Sequence, residues 1–60
     1  MIRTVSHNNV LGIGDNTFKL VKGEKIIIYE EDKYGRVKVV IQNIETVIYK
    51  SMLHRISNRE

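Results

Sequence analysis

Polar and hydrophobic positions alternate over short runs of this chain, and a period of two is typical of β-strands. In residues 36–41 three aliphatic side chains share one face, and two basic side chains share the other. Residues 25–29 are β-branched or aromatic after an initial lysine, which predicts a largely buried strand. A charged turn at residues 31–35 separates the two runs, so we expect them to form the central hairpin of a sheet.

The N-terminal third of the chain predicts three further short strands. Residues 2–5 form a short apolar run that ends at a polar break. Residues 10–13 and 17–21 are two more such runs, separated by the sequence Gly-Asp-Asn. These three residue types tolerate the backbone geometry of a tight turn, so the two runs are predicted to form a second hairpin.

Residues 44–56 allow two interpretations. In the first, residues 45–50 form a strand after a Gln-Asn turn, residues 51–54 form one helical turn, and a terminal strand follows around Arg55 and Ile56. In the second, an asparagine caps a helix whose apolar face consists of Ile44, Val47, Ile48, Met52 and Ile56. The β-branched residues in the first half of the segment lower its helix propensity and favour the strand.

The length of 60 residues limits the stability that a core can supply. A domain of this size buries only about 60% of the surface that its unfolded chain exposes. The chain has no cysteine, which excludes disulfides and cysteine-type zinc sites, and its only imidazole ligands are His7 and His54. We therefore expect no metal or other cofactor, and we expect a homo-oligomer whose self-association supplements the core.

The composition indicates a cytoplasmic protein and gives a weak preference for polyanionic partners. No apolar run approaches the roughly 20 residues that cross a bilayer, and the N-terminus carries no signal-peptide core, so we expect no membrane partner. The lack of cysteine fits a reducing compartment. Ten lysine and arginine residues against seven aspartate and glutamate residues give a net charge of +3, an excess that favours nucleic acid without requiring it.

The sequence lacks the parts of a catalytic site, so we predict that the protein is not an enzyme. Ser51 and His54 are close in sequence, but on a helical turn we interpret them as surface residues rather than a nucleophile and its base. Gly12 and Gly14 lack the third glycine of a phosphate-binding loop, and we interpret both as turn residues. The acidic run at residues 30–32 is interpreted as the solvated end of a hairpin.

Basic and aromatic side chains on the predicted strands are the candidate functional residues. Cations neutralise phosphates and an aromatic ring offers a stacking platform for an unpaired base, so this combination favours nucleic acid, and RNA over DNA. The predicted nucleic-acid-binding residues are Lys19, Lys25, Tyr34, Arg36, Lys38, Tyr49 and Lys50. The alternative is a solubilising sheet face on a protein-interaction module or small inhibitor, which would recognise its partner through a strand edge or an apolar patch.

Three segments resemble the Sm-like proteins, especially the bacterial Hfq type: residues 18–23 (Phe-Lys-Leu-Val-Lys-Gly), 32–34 (Asp-Lys-Tyr) and 47–53 (Val-Ile-Tyr-Lys-Ser-Met-Leu). The resemblance implies a bent five-stranded barrel, a ring-shaped homo-oligomer, and RNA bound near Tyr34, Tyr49 and Lys50. The chain departs from that family in four ways: it shows no N-terminal helix, its second strand is shortened, a lysine replaces the turn asparagine before the glycine, and a serine stands where the family has a histidine.

The same C-terminal segment is also similar to SH3-like barrels, in which residues 49–52 would match the short helical turn before the last strand. The predicted fold is accordingly a single all-β domain over residues 1–60, a small five-stranded barrel of the SH3-like or Sm-like type. The alternative fold is an antiparallel sheet with one C-terminal helix. The sequence does not choose between the roles of such barrels, because one fold serves many functions.

Overall fold

A computed structural model describes residues 1–59, which form seven strands and one short helix. The strands pair only in antiparallel fashion, in a five-stranded sheet with the order β6-β5-β4-β1-β7 and a separate β2-β3 hairpin. The elements are β1 (Ile2–Val5), β2 (Asn9–Ile13), β3 (Asn16–Leu20), β4 (Lys25–Glu31), β5 (Arg36–Ile41), β6 (Ile44–Tyr49), α1 (Lys50–Ile56) and β7 (Ser57–Arg59).

The mostly β architecture predicted from the alternation of polar and apolar residues is confirmed. Both predicted hairpins form, and the five-stranded sheet ends at β6 on one side and β7 on the other. A closed barrel is therefore not found among residues 1–59, and the arrangement agrees with the alternative of an antiparallel sheet with one C-terminal helix. The helix has only 7 residues, because the β-branched run at 46–48 keeps the chain extended as far as Tyr49.

The turn between β4 and β5 is organised by Asp32. The carboxylate oxygen Oδ1 accepts hydrogen bonds from the backbone N–H of Tyr34 at 2.8 Å and of Arg36 at 3.0 Å. Gly35 has φ 81°, a conformation that glycine adopts without the steric cost of a Cβ. The local sequence thus fixes the direction in which β5 leaves the turn, and with it the positions of the basic side chains on that strand.

The turn between β5 and β6 consists of two residues with left-handed backbone, Gln42 at φ 52° and Asn43 at φ 66°. Two positive φ values in a two-residue loop suit the right-handed twist of a hairpin. The side-chain amide of Gln42 donates to the carbonyl oxygen of Lys19 at 2.8 Å. This bond connects the β2-β3 hairpin to the larger sheet.

The core is formed where side chains from the five-stranded sheet, the β2-β3 hairpin and α1 meet. Val39, Ile26 and Ile41 of the sheet are fully buried. The hairpin contributes Phe18, and α1 contributes Leu53. Among the residues whose burial is described, 1–58, the buried apolar ones are Val5, Leu11, Phe18, Leu20, Ile26, Val37, Val39, Ile41, Ile48, Leu53 and Ile56.

Arg3 is buried at the junction of β1 and β7, with 6% of its surface exposed. Its Nε donates to the hydroxyl of Ser57 at 2.7 Å, and its Nη2 donates to the carbonyl oxygen of Ser57 at 2.9 Å. The Ser57 hydroxyl in turn donates to the carbonyl oxygen of Leu53 at the end of α1. Charge-assisted bonds of this kind fix where the chain leaves the helix and rejoins the sheet.

Candidate nucleic-acid interface

Four of the predicted binding residues share one surface on the outer side of β4, β5 and β6. Arg36 lies directly opposite Tyr49 in the register of β5 and β6, and Lys38 lies two residues further along the same face of β5. The guanidinium of Arg36 approaches the ring of Tyr34, with 5.6 Å between Cζ and the ring centroid. We call the surface formed by Tyr34, Arg36, Lys38 and Tyr49 the basic-aromatic face.

Two exposed rings dominate the basic-aromatic face. Tyr34 is 69% exposed and Tyr49 is 64% exposed, so each side chain presents most of its surface to solvent. The ammonium group of Lys33 lies 5.3 Å from the centroid of the Tyr34 ring, in addition to Arg36. Cations over an aromatic ring are favourable, and an exposed ring beside a guanidinium can stack on an unpaired base.

Carboxylates offset much of the positive charge around this face. The Nε of Arg36 lies 2.8 Å from Oδ2 of Asp32, and the ammonium group of Lys50 lies 2.9 Å from Oε1 of Glu31. Glu30 is the cross-strand neighbour of Lys38. Asp32 and Glu30 therefore offset the charges of Arg36 and Lys38 on this face, while the pair Glu31 and Lys50 lines a separate hollow.

Asp32 remains ionised at neutral pH. The hydrogen bond from the backbone N–H of Arg36 is the main cause that holds the pKa of Asp32 below its ordinary value of 3.8. The N–H of Tyr34 and the guanidinium of Arg36 act in the same direction, while partial desolvation opposes them. The sequence interpretation of the acidic run as a solvated hairpin end omitted this role in positioning the turn.

A shallow groove of about 260 Å³ crosses the basic-aromatic face. Its walls carry both charges, and its lining consists of Glu30, Asp32, Arg36, Lys38 and Val47. The carboxylates can accept hydrogen bonds from base amino or ribose hydroxyl groups, and the cations can contact phosphates. The groove thus offers both hydrogen-bond acceptors and cations, and Arg36 in its lining also contacts the ring of Tyr34.

The other three predicted residues lie outside this face. Lys50 borders it at the start of α1, where its backbone N–H donates to the carbonyl oxygen of Gly35 at 2.7 Å. Lys19 lies on β3, near the opposite end of the β5-β6 hairpin, as its contact with Gln42 shows. Lys25 begins β4 opposite Thr4, at the end of that strand remote from the basic-aromatic face. The structure thus groups four of the seven residues, with Lys50 next to them at the start of α1, and separates Lys19 and Lys25 from them.

A second concave surface, which we call the β2 groove, follows the edge of β2 and was not predicted. It comprises two hollows of about 330 and 180 Å³ that share Leu11, Gly12 and Met52. The interpretation of Gly12 as a turn residue is wrong, because Gly12 lies within β2, and of the pair Gly12 and Gly14 it is Gly14 that has a positive φ, at 56°. A glycine in an apolar run before the turn was the available sequence signal for this surface.

Residues 1–59 contain no group of three or more histidine, cysteine, aspartate or glutamate side chains that could hold a metal ion. Within the same residues, no helix has the length and apolar character needed to span a bilayer. Ser51 and His54 both lie on α1 and are exposed, in keeping with their interpretation as surface residues. Comparisons with protein families, with curated proteins and with solved structures find no match to this chain.

Proposed function

We propose that this protein binds single-stranded RNA through the basic-aromatic face and acts by occupancy rather than by catalysis. The observation that carries the proposal is the exposed pair Tyr34, in the turn before β5, and Tyr49, on β6, which flank Arg36. Unpaired bases stack on such rings, and RNA is most often recognised where its bases are unpaired. A regulator of transcription or of messenger RNA could work in this way without a catalytic residue.

Stacking rather than phosphate neutralisation should dominate the affinity. Each base stacked on an aromatic ring contributes about 1–3 kcal/mol to binding. The phosphate contribution is measured by the slope of log K against log salt concentration, and each phosphate contact on a single strand adds about 0.7 to its magnitude. Asp32 and Glu31 already engage Arg36 and Lys50, which leaves Lys33 and Lys38 as the main phosphate contacts. We therefore expect a salt slope of only about 1 to 2.

The order of elements resembles that of SH3-like proteins more than that of Sm-like proteins, while the five-stranded sheet of residues 1–59 does not close into a barrel. The chain begins with β-strands where the Sm-like proteins have a helix, and α1 lies between β6 and β7 as the short helical turn does in SH3-like barrels. In this proposal, the β2-β3 hairpin covers the open side of the bent sheet. The homo-oligomer expected from the small core stays a prediction, which sedimentation at micromolar concentration tests.

Fluorescence anisotropy with a labelled single-stranded RNA, at salt between about 50 and 200 mM, tests the proposed function. Tyr34→Ala and Tyr49→Ala should each weaken binding about tenfold, which corresponds to about 1.4 kcal/mol. Tyr29→Ala is the matched control, because Tyr29 is similarly exposed but lies at the β4 bulge between Ile28 and Glu30, whereas Tyr34 and Tyr49 flank Arg36. Absence of binding at the lowest salt, or an equal loss with the control, would contradict the proposal.

A further inference from the structure

The β2 groove runs along one edge of the β2-β3 hairpin. One of its hollows extends to His7 and Arg55, and the other extends to Ile13 and Tyr49. Since the two hollows share the middle of β2, the groove follows the whole strand, a length of about 17 Å at about 3.4 Å per residue. The hairpin forms one wall, and β6 with α1 forms the other.

Two strand edges border this groove without a backbone partner. In residues 1–59, β2 pairs only with β3, and β6 pairs only with β5. The edge of a strand presents unpaired N–H and C=O groups that readily accept another strand, and proteins usually protect such edges with charges or proline. The sequence of β2, Asn-Val-Leu-Gly-Ile, contains neither. The edge is thus competent for strand addition.

Gly12 in the centre of β2 is explained neither by backbone geometry nor by packing within the chain. Its φ is not positive, unlike that of Gly14, and an added Cβ would meet no atom within 4 Å. Glycine weakens a strand, because the flexible residue loses more conformational entropy and has no side chain to pack. A strand glycine often marks a place where another backbone approaches closely, and here the approach would come from outside the chain.

The charge distribution indicates the chemistry of the occupant. The floor of the groove is apolar, with Leu11, Ile48 and Met52 among its lining residues. Arg55 lines one end beside His7, and within residues 1–59 the side chain of Arg55 takes part in no hydrogen bond or ion pair. A carboxylate would complement that end, and apolar side chains would suit the floor.

We propose that the β2 groove binds an extended segment of another polypeptide, which adds as a strand to the edge of β2 and places an acidic side chain at Arg55. Because the groove has a wall on each side, it accommodates a single extended chain better than the edge strand of a second folded copy. Backbone hydrogen bonds to β2 supply affinity, and the floor and Arg55 supply selectivity. This interaction is additional to RNA binding, and the β2 groove meets the basic-aromatic face at Tyr49, which both contain.

Selection of phage-displayed random peptides of about 12 residues on the full chain tests the proposal, with counter-selection on a Gly12→Val variant. This substitution fills open space at a backbone conformation that valine accepts, so the fold should persist, which a melting curve verifies. Enriched peptides should alternate apolar residues and carry aspartate or glutamate near one end. A synthesised peptide should shift the amide resonances of residues 9–13 and slow their hydrogen exchange.

The affinity of that peptide is then measured for the wild-type chain and for single-residue variants. Gly12→Val should weaken binding at least tenfold, whereas Thr17→Val, at the cross-strand neighbour of Gly12 but outside the groove lining, should leave it unchanged. Arg55→Ala should weaken binding about fivefold, and Arg55→Lys should restore part of the loss. RNA binding should be unaffected by Gly12→Val, which separates failure of this proposal from failure of the proposed function.

Three results would overturn the proposal. The first is a selection in which no enriched peptide binds the wild-type chain more tightly than it binds the Gly12→Val variant. The second is sedimentation showing that the wild type dimerises and Gly12→Val does not, since the occupant would then be a second copy. The third is loss of RNA binding in Gly12→Val, which would assign the β2 edge to nucleic acid.

Discussion

At the scale of single residues, Asp32 links the fold to the candidate site. One of its oxygens accepts the backbone N–H groups of Tyr34 and Arg36, and the other contacts the guanidinium of Arg36. The same carboxylate therefore shapes the turn and orients the cation that lies between the two exposed tyrosines. The negative charge of Asp32 also weakens the attraction between Arg36 and a phosphate. Asp32 therefore stabilises the turn but lowers the affinity of this site for nucleic acid.

The stability that Asp32 provides should depend on pH. Its pKa is lower in the folded chain than the ordinary value of 3.8, so the contribution is complete above that value and disappears as pH falls through the folded pKa. Asp32→Asn should lower the urea midpoint near neutral pH, and the difference from the wild type should shrink as the pH falls below 3.8. A constant difference across this range would contradict the assigned role.

Glu31 should restrain RNA binding, because it holds the ammonium group of Lys50 at 2.9 Å. Glu31→Gln should release Lys50 towards phosphate, tighten RNA binding several-fold and steepen the salt slope by about 0.7. Glu45→Gln makes the same change in net charge on β6, where Glu45 lies opposite Val40, four residues along the strand from Tyr49. Equal gains from the two variants in anisotropy titrations would show only a general effect of charge.

At the scale of elements, the hairpins follow from local sequence and the β2 groove does not. Alternation of apolar residues and the Gln-Asn and Gly-Asp-Asn turns predicted the strand pairs, because turn chemistry and side-chain period are local properties. The start of α1 at Lys50 depends instead on packing, since Leu53 and Ile56 become buried only when the sheet is present. The position of β2 beside β6 is likewise a tertiary arrangement that no local pattern encodes.

The two-residue turn between β5 and β6 gives a prediction at this scale. Asn43 has φ 66°, a region that asparagine and glycine tolerate and β-branched residues do not. Asn43→Val should therefore lower the free energy of unfolding by about 1–2 kcal/mol, while Asn43→Gly should change it little. Urea unfolding of both variants measures this difference, and equal stability of the valine and glycine variants would argue against the left-handed turn.

At the scale of the whole molecule, a small core must hold two sheets together. A 60-residue chain is expected to have a free energy of unfolding of only about 3–9 kcal/mol. Phe18 connects the two sheets, because it belongs to the β2-β3 hairpin yet is fully buried in the common core. The sequence predicted strands at residues 10–13 and 17–21 but not that this hairpin would lie against the sheet and leave a groove beside β2.

Phe18→Ala should unfold the hairpin and the five-stranded sheet together. A substitution of this kind costs about 3–5 kcal/mol, which is comparable to the whole stability expected for the chain. Val10→Ala removes an exposed side chain from the same hairpin and should have little effect. Circular dichroism and amide spectra measure the outcome, and a sheet that stays folded in Phe18→Ala would show that the two parts are independent.

The central claim is that Tyr34 and Tyr49 stack on the bases of single-stranded RNA. The chain has three tyrosines, one phenylalanine and no tryptophan, so the ring resonances of each tyrosine can be resolved and assigned by nuclear magnetic resonance. Titration with a single-stranded RNA should move the ring protons of Tyr34 and Tyr49 upfield and leave those of Tyr29 in place. Unchanged rings at saturating RNA, or shifts confined to Tyr29, would contradict the account.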